Sequence, residues 1–397
     1  MAGRTGTGVP QHGPVLLATV FLITTSLRPA ITTVGPVLPQ VGADLRLGEA
    51  ALGALGALPL LAFAASAPLV HHAVRRAGPE RAVLLALLAL AAALVVRSYT
   101  GTAGLWFGTA VIGCAIAVGN VVVPTLIKRD YPRRVARATS VYSACIAGSA
   151  AVASAVAVPI SQVAGWRGAL AIWAVPTILV AAIWSLRAKE EQNPHPDAQL
   201  LPTTRRITVW RQPDAWLVTA FMGLQSTCFY VVVTWLPTIE VASGVGPAVA
   251  GLHLFAYQMA GILAGLAIPN LLHRTADERV AAVGASGMLL VGLSGILLMP
   301  SAMLPWVLVA GVGSGSSLVM ALSLISLRGR DPDETTRLSG MAQSLGYLLA
   351  AGGPIAAGVL AERTGGWQAP MVMLVALAAA LVLVAVPAGR DRRSADG

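Results

Sequence analysis

Twelve runs of roughly 20 apolar residues follow one another along the chain, joined by short polar connections. No other feature restricts the fold so strongly. Every backbone N–H and C=O in hydrocarbon must find its partner inside the protein, so spanning segments are helices or strands of a closed barrel. Runs of this length without alternation are helices. They fall at 14–38, 50–70, 81–97, 102–127, 137–160, 168–187, 214–237, 247–272, 279–299, 302–327, 338–361 and 369–387. With 56% hydrophobic and 11% charged residues in 397, the chain carries more apolar surface than a soluble domain can hide. The bilayer is its solvent.

A net charge of +10 would suit a nucleic-acid partner, but its placement excludes one. With both ends on one side, 22 of the 27 Lys and Arg lie in connections on that side, among them Arg75, Arg76, Arg81, Lys128, Arg129, Arg187 and Arg337. Arg46, Arg97, Arg167 and Arg363 lie on the other, and Arg28 lies inside a run. This asymmetry predicts a multi-pass protein of a bacterial cytoplasmic membrane with both termini in the cytoplasm. Cys114, Cys145 and Cys228 fall within spans and read as packing residues. The first run is too long for a signal peptide and lacks a cleavage site.

Residues 188–213, rich in Pro, Gln, Asn and charge, form the one long hydrophilic insert. They divide the chain into an N-terminal six-helix bundle (1–187), a cytoplasmic linker (188–213) and a C-terminal six-helix bundle with a short tail (214–397). The halves repeat one another. Leu38-Pro39-Gln40-Val41 is answered by Leu236-Pro237-Thr238-Ile239, Glu80-Arg81 by Glu278-Arg279, Tyr131-Pro132 with Arg137 by Asp331-Pro332 with Arg337, and Gly165-Trp166 by Gly366-Trp367. The displacement stays near 200 residues, so one six-helix unit occurs twice in the same orientation. Parallel repeats of this kind describe the major facilitator fold: an all-α membrane protein of twelve transmembrane helices in two pseudo-symmetric six-helix bundles, with the solute between the halves.

Three segments carry a more specific resemblance: Leu27-Arg28-Pro29-Ala30-Ile31-Thr32-Thr33-Val34-Gly35-Pro36; Gly223-Leu224-Gln225-Ser226 with Phe229-Tyr230 and Trp235-Leu236-Pro237; and Leu338-Ser339-Gly340-Met341-Ala342-Gln343-Ser344-Leu345-Gly346-Tyr347-Leu348. They resemble the cyanate and nitroimidazole transporter branch of the major facilitator superfamily, and the likeness runs over nearly the whole chain. It implies secondary transport of a small solute by alternating access. One departure lies in the loop between helices two and three, where the superfamily places an acidic residue ahead of its basic cluster. Here the segment reads His71-His72-Ala73-Val74-Arg75-Arg76-Ala77-Gly78-Pro79-Glu80-Arg81, without that acid. The histidine pair reads as interfacial, so neither metal nor cofactor is expected.

Arg28 stands in the middle of the first run, where a guanidinium costs roughly 3 kcal/mol or more unless it faces a polar cavity or a partner. A polar stripe of Thr24, Thr32 and Gly35 is expected on its helix face. Opposite it the candidate lining consists of Asn120, Tyr142, Gln225, Tyr230, His253, Tyr257, Gln343 and Tyr347, each of which has an alternative as packing or interhelical hydrogen bonding. All seventeen acidic residues fall in connections, tails or span ends, so Arg28 is expected to lack an acidic partner and the carrier to lack a membrane carboxylate.

His253 is then the in-span group with an ordinary pKa near physiological pH, and the candidate for proton coupling. Coupling through it, co-transport of a proton with the anion, and simple exchange all stand open. Two transport readings follow. One is a secondary active or facilitative carrier of a small anionic solute anchored on Arg28, working as a monomer. The other is efflux of small drug-like molecules such as nitroimidazoles. Helix five lacks the Gly-Pro pair of many proton-driven drug antiporters over Ala147–Ser154. An enzyme would need clustered acids, bases or metal ligands that the spans do not hold.

Overall fold

The structure, a computed structural model, describes residues 14–131, 134–190, 209–274, 278–329 and 332–390. The linker lies for the most part outside the described residues. Helices α1 (Pro14–Leu27), α2 (Pro29–Thr32) and α3 (Val34–Leu45) together make the first crossing. They are followed by α4 (Glu49–Ala77), α5 (Pro79–Tyr99), α6 (Gly101–Asp130), α7 (Val135–Ala171) and α8 (Ala174–Glu190). The second half holds α9 (Pro213–Ala242), α10 (Pro247–Arg274), α11 (Glu278–Leu298), α12 (Met303–Arg328), α13 (Pro332–Thr364) and α14 (Gln368–Ala388).

Ten single helical stretches are long and apolar enough to cross a membrane, and the bent pair 18–32 with 34–45 adds an eleventh. One of the ten, Arg137–Lys189, is 53 residues long, or about 80 Å at helical rise against roughly 30 Å of hydrocarbon. It turns back at Gly165, where φ 67° and ψ 170° leave the helical region. Twelve crossings result, as the sequence predicts.

The repeat is visible in the backbone. Gly365 takes φ 68° where Gly165 takes 67°, both at turns where a side chain on an L-residue would be strained. The turn after α3 passes through left-handed Arg46 (φ 52°), and its counterpart after α9 passes through Gly244 (φ 91°). Glu80 pairs with Arg129 in the first half, and Glu278 lies 3.7 Å from Arg328 in the second.

The halves meet tightly toward the end that carries few basic residues. Gly53 of α4 abuts the Pro354 carbonyl of α13, and Gly251 of α10 faces the Ser154 carbonyl of α7, so that a Cβ on Gly251 would lie 3.1 Å from it. Residues 53 and 251, and 154 and 354, are counterparts in the repeat: one contact is made twice, once on each side of the pseudo-symmetry axis. Gly35 of α3 abuts the Val233 carbonyl of α9 near that axis. Glu362, near the end of α13, accepts a hydrogen bond from the Ala50 N–H at the start of α4 (2.9 Å), closing the same face. Tyr230 through Glu240 of α9 are all buried there. Toward the basic-rich end α7 is exposed on most of its surface over residues 139–144, whereas residues 150–158 are largely buried.

Candidate functional site

The first crossing is interrupted where Arg28 sits. Pro29 has no N–H to give the preceding turn, and Pro36 withholds another, so the turn Pro29–Thr32 is set off from its neighbours and the crossing bends by 41° between 18–32 and 34–45. Arg28 is the residue before that turn, about 20 Å along from Pro14 and so near mid-membrane. Its carbonyl accepts from the Ile31 and Thr32 N–H groups at 3.0 and 3.1 Å, which fixes the backbone from which the guanidinium projects.

Three tyrosines from three other helices come to this guanidinium. Arg28 Nη1 donates to the Tyr230 hydroxyl of α9 at 3.4 Å, and Tyr347 of α13 and Tyr142 of α7 lie within electrostatic reach. The rings form a continuous cluster. Tyr230 and Tyr347 have centroids 6.4 Å apart, Phe229 meets Tyr230 edge-on at 5.2 Å, and Phe63 of α4 meets Tyr347 edge-on at 5.6 Å. Edge-to-face rings at these distances attract one another beyond their buried area. Among the described residues no carboxylate pairs with Arg28. A half-buried cation fringed by phenol oxygens, with apolar ring faces beside it, can bind a small planar or linear group that accepts hydrogen bonds.

Other expected lining residues are placed differently. Thr32 is buried and its hydroxyl donates to the carbonyls of Arg28 (3.2 Å) and Ala150 (3.1 Å), while Thr24 bonds the Phe21 carbonyl. Gly35 lies against Val233. The expected polar stripe is therefore a packing face, because threonines in helices satisfy backbone acceptors when no water reaches them. Gln225 is likewise buried, its amide turned onto Ser226 at 2.7 Å. Tyr257 is buried behind Phe229, with ring centroids 6.4 Å apart. Gln343 donates to Ser339 at 2.8 Å, one helical turn from Tyr347. Asn120 is half-buried, and its side chain makes no hydrogen bond among the described residues.

His253 is not part of this cluster. Its Nδ1 lies 2.9 Å from Oε2 of Glu240, whose side chain is 0% exposed in the last turn of α9. Glu240 thus lies at the span end, where the sequence places the acidic residues, but with its side chain buried against His253. Pro237 suggests the end of the span, but α9 runs on to Ala242 and takes Glu240 inside with it. Two further residues were missed. Phe63 gave no signal beyond its place in an apolar run. Arg97, counted with the polar surface, is buried in the last turn of α5 and donates from Nη1 to the Ala30 carbonyl at 2.6 Å.

Two six-helix bundles that close over one face of a mid-membrane polar site define a membrane carrier. The Major Facilitator Superfamily model matches residues 20–353, and the chain belongs to that family; it is a major facilitator transporter. It is 39% identical over 379 residues to the 2-nitroimidazole transporter of Escherichia coli (strain K12), covering 95% of this chain and 96% of that one. It is 26% identical over 357 residues to the Cyanate transport protein CynX of the same organism, covering 89% and 91%. Among solved structures, a bacterial homolog of the human lysosomal transporter Spinster, in an inward-facing and unoccupied conformation, superposes with a TM-score of 0.77 at 16% identity, over 96% of this chain and 98% of that one.

Proposed function

We propose that the protein is a secondary active or facilitative carrier of a small anionic solute, with Arg28 as the charge anchor and the phenols of Tyr142, Tyr230 and Tyr347 as orienting groups. The observation that carries this reading is the mid-membrane guanidinium with no carboxylate partner among the described residues, half-buried beside three tyrosines. A charge held there at a cost of several kcal/mol is balanced when a bound anion accepts its hydrogen bonds. The relative named for cyanate, a linear anion, is in keeping with this chemistry.

The carrier works as a monomer by alternating access between bundles 1–187 and 214–397, joined by the cytoplasmic linker 188–213. It sits in a bacterial cytoplasmic membrane with both termini and the basic-rich end inside. On that orientation the tight glycine–carbonyl contacts close the outer face and the solute site opens to the cytoplasm.

Arg28→Gln tests the anchor. In proteoliposomes it abolishes saturable counterflow of cyanate, nitrate and small carboxylates, while the purified protein keeps its monodispersity, since the substitution removes an uncompensated charge. Arg28→Lys weakens half-saturation because a point charge replaces the planar fork. Full anion exchange in well-folded Arg28→Gln would sink the reading.

A second reading, efflux of planar neutral molecules such as nitroimidazoles, is supported by the aromatic cluster and by the 39% identical relative. The two part on one measurement: 2-nitroimidazole movement that survives Arg28→Gln favours efflux.

Coupling is assigned to the Glu240–His253 pair, which can hold a shared proton beside the closed face. Glu240→Gln and His253→Gln should each remove dependence on an imposed pH gradient and leave counterflow intact. A gradient response unchanged in both variants eliminates the pair as the coupling site.

A further inference from the structure

Arg97 is a costly group in the N-terminal half. It is 1% exposed; Nη1 donates to the Ala30 carbonyl at 2.6 Å, and Nε and Nη2 are buried with no hydrogen-bond partner among the described residues. No carboxylate pairs with it among the described residues. A guanidinium in this state costs several kcal/mol, far more than one hydrogen bond to a neutral acceptor returns. Packing alone would be served as well by Leu or Met.

The acceptor shows what the group does. Ala30 lies in the one-turn segment Pro29–Thr32, whose first flanking residue is Arg28. Arg28 and Thr33 keep helical φ/ψ, but Pro29 and Pro36 withhold two N–H groups from the ladder and the crossing bends by 41° here, so this turn is weakly held by its own backbone bonds. Besides the Thr32 hydroxyl's contact with the Arg28 carbonyl at 3.2 Å, three side-chain bonds hold the turn. Thr33 Oγ1 bonds the Pro29 carbonyl at 2.7 Å, Thr32 Oγ1 bonds the Ala150 carbonyl of α7 at 3.1 Å, and Arg97 grips Ala30 from α5. Of these, the Arg97 bond alone is charge-assisted, and it is the shortest. Gly108 of α6 lets the helices approach so closely that a Cβ there would lie 2.8 Å from the Arg97 Cβ, which leaves the side chain little room to swing away.

We propose that Arg97 is the positioning residue for Arg28: it holds the turn Pro29–Thr32 in the conformation that points Arg28 at the three tyrosines. This rests on the reading of Arg28 as the solute anchor. Arg97 touches no solute. It acts on the backbone from which the anchor projects, so its loss should alter affinity more than turnover.

The test uses the full-length carrier with Arg97→Met, which keeps the bulk, and Arg97→Lys, which keeps a charge and a donor. Backbone hydrogen exchange over Ile31–Gly35 should speed up about tenfold in Arg97→Met, as should the half-saturation concentration for cyanate counterflow, the change expected when one charge-assisted hydrogen bond is lost. The maximal rate should stay within about twofold, and Arg97→Lys should recover part of both losses. In an Arg28→Gln background Arg97→Met should accelerate exchange without affecting transport further. If Arg97→Met does not fold, Arg97→Lys decides, with wild-type exchange and half-saturation overturning the proposal. Wild-type protection of the turn in Arg97→Met overturns it alone. Wild-type cyanate exchange in Arg28→Gln overturns the anchor reading, and the positioning role of Arg97 falls with it.

Discussion

The two halves are copies in outline and opposites in chemistry. The N-terminal half brings a cation to the middle of the molecule, on a helix broken by Pro29 and Pro36, and supports it with a second buried arginine. The C-terminal half answers with an unbroken α9 that presents Phe229 and Tyr230, and it carries the carboxylate–imidazole pair Glu240–His253 one helical stretch further on. A repeat therefore fixes where helices lie, while single substitutions decide which half supplies charge and which supplies hydrogen-bond acceptors. In the proposed cycle this division places the anchor and Tyr142 on one rocking body and Tyr230 and Tyr347 on the other. Solute binding would then report on the distance between them.

The paired glycine contacts offer the strongest way to break the symmetry. A side chain at Gly53 must displace the Pro354 carbonyl, whereas a Cβ at Gly251 meets the Ser154 carbonyl at 3.1 Å, a contact that a small shift relieves. Gly53→Val should therefore hold the closed face apart and slow exchange by up to about 100-fold, equivalent to about 3 kcal/mol of overpacking, and Gly251→Val by about tenfold or less. A cysteine replacing Thr238, which is buried in the closed face, reports the opening through its reaction with an impermeant thiol reagent. Equal effects of the two substitutions would show that the closure does not depend on how near each carbonyl stands.

Ion pairs at the basic-rich end differ in the same sense but with smaller consequence. In the first half the buried carboxylates of Glu80 and Asp130 pair with Arg129, 37% exposed, and with Arg187, 0% exposed and stacked on Trp184 at 4.7 Å. In the second half Glu278, a quarter exposed, lies 3.7 Å from Arg328. Glu80→Gln should cost about 2–3 kcal/mol, since it removes a buried carboxylate that balances Arg129 and the fully buried Arg187, and Glu278→Gln under about 1 kcal/mol. Thermal unfolding in detergent measures both; a larger loss from Glu278→Gln would reverse the assigned asymmetry.

Much of this architecture was legible in the chain. Apolar runs bounded by basic connections specify spans because lipid leaves the backbone no other partner, and the Leu-Pro, Glu-Arg and Gly-Trp echoes near a 200-residue offset reveal the repeat. Arg28 stood out because a charge inside an apolar run has no cheap explanation. What stayed hidden depended on distance. Glu240 and His253 are 13 residues apart across a hairpin, and neither signals that α9 outlasts Pro237. Arg97 looks like an interfacial residue until its side chain is seen to turn inward toward a carbonyl 67 residues away. The threonine stripe misled for a related reason: periodicity marks a face, and only packing decides whether that face meets water or another helix.

The finest comparison is between the phenols themselves. Tyr230, from the C-terminal half, accepts the Arg28 Nη1 hydrogen bond, though at 3.4 Å the bond is long. Tyr142, from the anchor's own half, is near enough to feel its charge, but its hydroxyl makes no hydrogen bond among the described residues. If the solute is held between the halves, the hydroxyl that already spans them should matter more. Tyr230→Phe keeps the ring and its edge-on contact with Phe229 while removing that acceptor, so the half-saturation concentration for cyanate counterflow should rise about three- to tenfold, the equivalent of roughly 0.5–1.5 kcal/mol. Tyr142→Phe should change it by less than about twofold on the same scale. The concentration dependence of counterflow at fixed internal solute resolves both values. A larger rise in Tyr142→Phe would place the solute against α7 within the N-terminal half, and the role of the C-terminal half would reduce to closing the site rather than completing it.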